Sequence, residues 1–264
     1  RNALPVPPQV EHQDVIPPLV QVTPQVGHVV PGVPEPMHED DQMAALTPHF
    51  RVLRFDTRGH GGTSAPEGAY DFAWLTADVL WLMERLGIGR AHFCGISLGG
   101  MIGQHVALAA PEKIGKLVLV STTSGYGPEA RTLWAERIAA VRAGGMAPLV
   151  APTLERWFTA PYRATHPEVM ARIGAMIAAT PSAGYIGCGQ AIPLMDTTAR
   201  LAQLRCPALV VAGADDQGMP PALGRRIAEH LPDARFEVIE SASHMCNIEQ
   251  KDSFNEILLN FLFP

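Results

Sequence analysis

Short apolar runs alternate with longer amphipathic stretches along most of the chain. Five runs have the length of strands and are rich in β-branched and other apolar residues: 51–56, 91–96, 116–121, 207–212 and 235–239. Near-continuous apolar runs of this length are typical of strands that are buried on both faces of a parallel sheet. Their alternation with longer segments therefore predicts βαβ units and an α/β fold.

The segments between these runs have the spacing of helices that rest on a sheet. In residues 72–86 the apolar positions recur at intervals of three and four, at Trp74, Leu75, Val79, Leu82, Met83 and Leu86. This stripe predicts an amphipathic helix with one face toward the core. Residues 98–110, 220–230 and 253–261 are interpreted in the same way.

The span 125–193 breaks the alternation. It is helix-like throughout, rich in Ala and Arg, and punctuated by Gly144-Gly145, Pro152, Pro161 and Pro181. A helical stretch of this length between two strand predictions indicates an insertion. We therefore predict a helical cap over the sheet.

Residues 1–41 have a different composition from the rest of the chain, with nine prolines, nine valines and no Phe, Trp, Tyr or Lys. Proline cannot donate to a strand ladder and breaks helices, so this segment can supply at most short edge strands or extended pieces. We predict little packed structure before Gln42 and hypothesise that the segment is foreign or wrongly translated. The predicted organisation is an atypical N-terminal segment, a first core part, a cap and a second core part, at 1–41, 42–124, 125–193 and 194–264.

Composition excludes several classes of protein. The 264 residues are 47% hydrophobic and 17% charged, which excludes a wholly disordered chain, and a net charge of -6 argues against a nucleic-acid partner. The four cysteines are widely spaced without a CxxC pair, so neither a disulfide framework nor a zinc site is expected. No apolar run has the length of a membrane span and no secretory signal is visible, so we expect a cytoplasmic protein without a membrane partner. The oligomeric state stays open.

The motif Gly95-Ile96-Ser97-Leu98-Gly99 carries the clearest chemical signal. It follows a predicted strand directly and opens a predicted helix, which is the context that a nucleophile elbow requires. Its glycines let the chain turn sharply and leave the Ser97 hydroxyl exposed in a strained conformation. Ser97 is therefore the candidate nucleophile.

A serine hydroxyl needs a base and an acid, which in this arrangement follow it in the order Asp or Glu, then His. Asp215 and Asp216 follow the predicted strand 207–212, at the strand end where active sites of open α/β sheets lie. We favour Asp216 as the acid, and Asp215 is its rival. The pair could also be a solvated turn or a helix cap.

The candidate base is His244. It lies in a loop directly after the predicted strand 235–239 and follows Asp216 in the chain. His60, in the motif RGHGG, and His92, within a predicted strand, fail the requirement of chain order or of loop position. His244 satisfies both.

Several motifs together resemble the α/β-hydrolase fold family. They are DTRGHG at 56–61, GISLGG at 95–100, GADDQGMP at 213–220 and ASHM at 242–245, and the resemblance covers the chain from about Gln42 onward. Within that family, the motifs GGMIGQ at 99–104, ERWFT at 155–159 and TPSAGYIGC at 180–188, with QAI at 190–192 and Asp196, are most similar to 3-oxoadipate enol-lactonases.

The resemblance implies an α/β-hydrolase fold, with a mostly parallel sheet, flanking helices and a helical cap. It also implies Ser97 as nucleophile, Asp216 as acid and His244 as base, in agreement with the reading of the residues. The implied reaction opens a five-membered enol-lactone to 3-oxoadipate, in the breakdown of aromatic compounds, without metal or cofactor. The backbone N–H of Leu98 would be one oxyanion donor.

The cap offers candidates for binding the small-molecule substrate. Trp157 is a candidate wall of the pocket, although an aromatic residue in a helical cap is as often plain packing. A substrate carboxylate calls for a cation, and the arginines of the cap are Arg131, Arg137, Arg142, Arg156, Arg163 and Arg172. Each of these could equally lie on a solvated helix face.

The N-terminal segment departs from the family's pattern. Hydrolases of this family begin with two or three strands, so we expect those strands to be atypical or missing here and the sheet to expose an edge. The second oxyanion donor should come from residues 29–41, where Pro31, Pro34 and Pro36 cannot donate. The alternatives are a general carboxylesterase, a cofactor-free haloperoxidase-like enzyme and a catalytically silent binding protein of the same fold.

Overall fold

The centre of the molecule is a sheet, which the computed structural model gives within the residues that it describes, 20–24 and 40–263. Its six strands in this part of the chain are β1 (Val20–Pro24), β2 (Phe50–Leu53), β3 (Ala91–Ile96), β4 (Ile114–Val120), β5 (Ala208–Gly213) and β6 (Ala234–Ile239). The order across the sheet is β2-β1-β3-β4-β5-β6, and β3 to β6 are parallel.

The five predicted strands are confirmed, and 91–96 has the predicted bounds. The strand predicted at 51–56 is shorter, because β2 begins at Phe50 and ends at Leu53. Its only partner in the described sheet is β1, whose register places Gln21 opposite Leu53 and which begins one residue earlier. Because the two strands are antiparallel, β2 ends close to the residue at which β1 begins.

The expectation for the N-terminal segment is wrong for Val20–Pro24. These residues form β1, which pairs antiparallel with both β2 and β3 and is therefore an internal strand, not an edge strand. Proline stands only at the last position of β1, so residues 20–23 keep the backbone donors that the two ladders need. The rest of 1–39, including Pro31, Pro34 and Pro36, lies outside the described residues.

Helices cover both faces of the sheet. The α-helices of the described chain are α1 (Asp40–Leu46), α2 (Phe72–Arg85), α3 (Leu98–Ala109), α4 (Glu129–Gly144), α5 (Val150–Trp157), α6 (Ala160–Thr165), α7 (Pro167–Ala179), α8 (Ser182–Ala191), α9 (Pro221–His230), α10 (Cys246–Glu249) and α11 (Lys251–Leu262). The helices predicted at 72–86, 98–110, 220–230 and 253–261 are confirmed as α2, α3, α9 and α11. No helix among them is long and apolar enough to cross a lipid bilayer.

Alternation along β4 shows how the two faces are filled. Leu117 and Leu119 pack in the core formed with α2, α3 and α9, whereas Val118 and Val120 pack in the core formed with α1 and α11. All four side chains are fully buried or nearly so. This double burial is the reason that the strand reads as a continuous apolar run in the sequence.

The span predicted as a cap is helical, with α4 to α8 inside it. These helices build a third apolar cluster, around Phe158 and Ile173, which also includes Ile248 from α10. The cap is thus packed on the segment that follows β6. The exact division of the chain at 42, 125 and 194 stays a prediction.

Candidate active site

Ser97 occupies a sharp turn between β3 and α3. Its φ of 52° and ψ of -115° lie in a region that residues with a Cβ rarely adopt, so the turn is strained. The turn is held by two hydrogen bonds, because Ser97 N–H donates to Val120 O at 2.9 Å and Thr122 Oγ1 donates to Ser97 O at 2.7 Å. Gly95 is required here, since a Cβ on it would lie 2.4 Å from the carbonyl group of Gly99.

His244 and Asp216 form a buried pair. The distance from His244 Nδ1 to Asp216 Oδ2 is 2.7 Å, and the two residues are 6% and 2% exposed. The other carboxylate oxygen, Oδ1, accepts the backbone N–H groups of Gly218 at 2.9 Å and Met219 at 2.8 Å. The carboxylate is therefore fixed in orientation and presents one oxygen to the imidazole.

The neighbouring carboxylate takes no part in this pair. The side chain of Asp215 is exposed, although its backbone N–H donates to Ala242 O at 2.9 Å. The structure thus brings Asp216, and not Asp215, to His244. The role of Asp216 as the acid stays a prediction.

The parallel strands bring the three candidate residues to one edge of the sheet. Ser97 follows β3, Asp216 follows β5 and His244 follows β6, and the carboxyl ends of neighbouring parallel strands lie at the same edge. The loop after β4 lies between them. This loop is attached to β5, because Ser121 N–H donates to Val211 O at 2.8 Å.

Leu98 is the first residue of α3. The first N–H groups of a helix have no partner inside that helix, and the helix dipole makes this end electropositive. The backbone N–H of Leu98 therefore lies next to the Ser97 hydroxyl at an end that favours negative charge. This is the placement that an oxyanion donor needs.

Trp157 lies over the imidazole. Its ring is stacked on that of His244, with the ring centroids 6.1 Å apart and the planes inclined by 21°. The Trp157 carbonyl accepts the N–H of Met245 at 3.0 Å, which joins the end of α5 to the loop of His244. Trp157 thus contacts His244 from the cap side, and its role as a wall of the pocket stays a prediction.

Two of the six cap arginines combine partial burial with a place near the site. Burial lowers the pKa of Arg156, and the positive charge of Arg137 lowers it further. Arg137 lies with its guanidinium 5.0 Å from the ring centroid of Trp134. Arg163 donates to the carbonyls of the cap backbone, Arg172 is half-buried, and Arg131 and Arg142 are exposed.

Two residues around the site escaped the sequence analysis. Tyr126 has its pKa raised by burial, and its hydroxyl lies 4.0 Å from the sulfur of Met219. Glu249 is buried beneath the loop of His244. Neither stands in a recognisable motif, and an acidic residue of a helix ordinarily lies on a solvated face.

Among the described residues no group of three or more His, Cys, Asp or Glu is arranged to hold a metal.

The comparisons with known proteins identify the family. A family model described as alpha/beta hydrolase fold matches residues 29–251, which starts earlier than the expected Gln42. The chain is 36% identical over 214 residues to 3-oxoadipate enol-lactonase 2 of Acinetobacter baylyi, covering 81% of this chain and 79% of that protein. It is 32% identical over 228 residues to the carbamate-hydrolase candidate RutD of Agrobacterium fabrum, covering 84% and 87%.

Among solved structures, the enol-lactonase from Burkholderia xenovorans matches with a TM-score of 0.82 and 40% identity, covering 86% of each chain. The sequence matches and the structural match therefore point to the same family. The chain belongs to the α/β-hydrolase fold family.

Proposed function

We propose that the protein hydrolyses a carboxylic ester or lactone with Ser97 as nucleophile, His244 as base and Asp216 as the acid that orients it. The observation that carries the proposal is the buried Asp216–His244 pair at the sheet edge where the strained Ser97 turn lies. A hydroxyl, an imidazole and a carboxylate in this order and at this edge match the roles of a serine hydrolase.

The reaction is acyl transfer in two steps. Ser97 Oγ attacks the carbonyl carbon while His244 Nε2 takes the hydroxyl proton, and the bond to the leaving oxygen breaks as His244 returns that proton to it. In a lactone the leaving oxygen stays attached to the acyl group as a hydroxyl; in an enol-lactone this hydroxyl is an enol, which tautomerises to a ketone. Water then attacks the acyl-enzyme, with His244 as base again, and releases the free acid and Ser97.

Asp216 keeps the imidazole in the productive tautomer. A carboxylate only accepts hydrogen bonds, so His244 Nδ1 must carry the proton that points at Asp216, and Nε2 is left free to accept one. The negative charge also stabilises the imidazolium that forms during attack. Leu98 N–H supplies one donor to the oxyanion, and the expected second donor falls in residues 29–41, of which the structure describes only the last two.

We further propose 3-oxoadipate enol-lactone as the substrate, as part of the breakdown of aromatic compounds. The support comes from the relatives named as enol-lactonases and from two half-buried cations in the cap. Arg137 and Arg156 could meet the carboxylate that such a lactone carries. Trp157 would cover its ring.

The test is the Ser97→Ala variant, measured with the enol-lactone and with p-nitrophenyl acetate. We expect kcat to fall by about 10³-fold or more, since covalent catalysis is lost while binding is kept. A fluorophosphonate probe should label the wild-type protein at Ser97 and leave the variant unlabelled. Undiminished hydrolysis by the variant would show that Ser97 is not the nucleophile, and an unlabelled, inactive wild-type chain would indicate a silent binding protein.

A second candidate is carbamate hydrolysis, because a relative named for that reaction covers as much of the chain as the enol-lactonases do. The same three residues would serve, since a carbamate also has a carbonyl open to attack. The values of kcat/KM for the enol-lactone, a carbamate and p-nitrophenyl acetate distinguish an enol-lactonase, a carbamate hydrolase and a general carboxylesterase. Peracid formation is the test for a haloperoxidase-like enzyme. We expect the enol-lactone to give the highest value.

A further inference from the structure

The buried carboxylate of Glu249 links the cap to the loop of His244. One of its oxygens accepts the backbone N–H of Thr159, at the start of α6, and the other accepts the backbone N–H of Ser243, each at 2.5 Å. Glu249 itself is 8% exposed and ends α10, five residues after His244. One side chain thus holds two backbone segments that are far apart in the chain.

Two further hydrogen bonds join the same segments. Ser243 Oγ donates to Arg156 O at 2.9 Å, and Met245 N–H donates to Trp157 O at 3.0 Å. Residues 156–159 of the cap and 243–245 of the core are therefore fastened on both sides of His244. The stacking of Trp157 on His244 lies in the middle of this junction.

The buried carboxylate of Glu249 has an unfavourable desolvation free energy, which indicates that its hydrogen bonds serve a purpose. Burial raises the pKa of Glu249, and its hydrogen bonds to Ser243 and Thr159 oppose that shift only in part. In the described part of the chain no cation lies within ion-pair distance of it, so the charge is balanced by backbone N–H groups. A buried carboxylate costs free energy that an apolar residue of similar volume would not. What an apolar residue cannot do is fix two N–H groups at once.

We propose that Glu249 is a positioning residue, which fixes His244 against Trp157 by holding the Ser243 and Thr159 backbone in register. The proposal rests on the proposed function, in which His244 is the base. It implies that the cap does more than cover the substrate, because its segment 156–159 also sets the aim of the imidazole. Misplacement of a reacting group by about 1 Å can cost roughly 100-fold in rate.

The first test is Glu249→Gln, with Glu256→Gln as the matched control. Glutamine keeps the size of the side chain, but its NH2 group faces one of the two N–H donors, so one bond of the pair is lost. Glu256 is exposed on α11, and its variant should behave as wild type. We expect Glu249→Gln to lower kcat for p-nitrophenyl acetate roughly 10- to 100-fold, with KM changed less than about threefold.

The second test removes the bond from the cap side and covers the case in which Glu249→Gln does not fold. Thr159 has a φ of -63° and Phe158 before it is extended, so proline fits the backbone at 159 and removes its N–H together with the hydroxyl that accepts the N–H of Tyr162. Thr159→Ala keeps the N–H and loses the hydroxyl, and so is the matched partner. We expect the kcat of Thr159→Pro to fall about tenfold below that of Thr159→Ala.

A spectroscopic readout separates positioning from simple stabilisation. The imidazole proton between His244 Nδ1 and Asp216 gives a downfield NMR resonance in folded protein, and the proposal expects it to shift or broaden in Glu249→Gln and Thr159→Pro. Unchanged kcat and an unchanged resonance in folded variants would overturn the proposal. If the wild type hydrolyses no ester, the proposed function fails, whereas the resonance still tests whether Glu249 positions His244.

Discussion

Replacing Asp216 by Asn probes the orientation of the imidazole with almost no change in volume. The two backbone N–H groups of Gly218 and Met219 hold Oδ1, so the amide oxygen of an asparagine remains at that position. Its NH2 group then faces His244 Nδ1, which sits 2.7 Å from the present Oδ2. The imidazole then has to accept this hydrogen bond at Nδ1, so its proton moves to Nε2. In that tautomer Nε2 cannot accept the proton of the Ser97 hydroxyl.

The size of the effect follows from the hydrogen bonds. To restore a free Nε2, the variant must place two N–H donors face to face, or turn the amide and leave two backbone donors without their acceptor. A donor without a partner costs about 1–3 kcal/mol when it is buried, and toward the lower end at the exposed Gly218 and half-buried Met219, so the productive arrangement costs about 2–6 kcal/mol. At 1.36 kcal/mol for each tenfold change, kcat falls roughly 30- to 10⁴-fold.

The assay is single-turnover acylation by p-nitrophenyl acetate, with the fraction of folded protein measured beside it. Asp215→Asn is the matched control, because it makes the same chemical change on the exposed neighbour and should retain kcat within about threefold. An Asp216→Asn variant that acylates as fast as wild type would refute the reasoning. So would a control variant that loses as much activity as Asp216→Asn.

Two further predictions concern stability. Gly95→Ala should lose about 1–3 kcal/mol in urea denaturation, because the new Cβ lies 2.4 Å from backbone atoms of Gly99, whereas Gly89→Ala, with open space around its Cβ, should lose little. Burial, with a smaller contribution from Arg200, lowers the pKa of His105 from 6.5 to about 4, so the unfolded chain binds the proton first and stability declines as the pH falls from 6.5 toward 4. Between pH 7 and pH 5 His105 should contribute a loss of about 1–2 kcal/mol after solvent screening, and His105→Phe should remove that contribution while His60 and His92, whose pKa values are also lowered by burial, keep theirs; an unchanged pH dependence in that variant would contradict the assignment.

The parallel strands and the candidate site residues could be read from the sequence because their signals are local. A strand that is buried on both faces needs a continuous apolar run, and β4 and β5 show one. The Ser97 turn needs small neighbours, which the glycines around it display directly. His244 and Asp216 follow from the requirement that each stands just after a parallel strand, which chain position alone can reveal.

The remaining features depend on contacts between distant residues. Val20–Pro24 is only five residues long, and its short apolar/polar alternation does not indicate that it inserts between β2 and β3, since that place is fixed by its partners. Glu249 likewise has no local signal. The contacts of its carboxylate are the backbone N–H groups of Thr159 and Ser243, and Thr159 lies 90 positions away in the chain.

The Ser97 turn and the His244 loop are held by different parts of the molecule. The Ser97 turn is held by the sheet and by α3, where hydrogen bonds with Val120 and Thr122 fix it independently of the cap. The imidazole lies instead in a loop whose backbone is fastened to cap residues 156–159. Under the proposed function, in which His244 is the base, a change in the cap around Trp157 therefore also acts on His244, so substrate preference and proton transfer depend on the same contacts. Hydrolases of this fold that differ in their caps should accordingly differ in rate on a common ester, even when the elbow and the acid are the same.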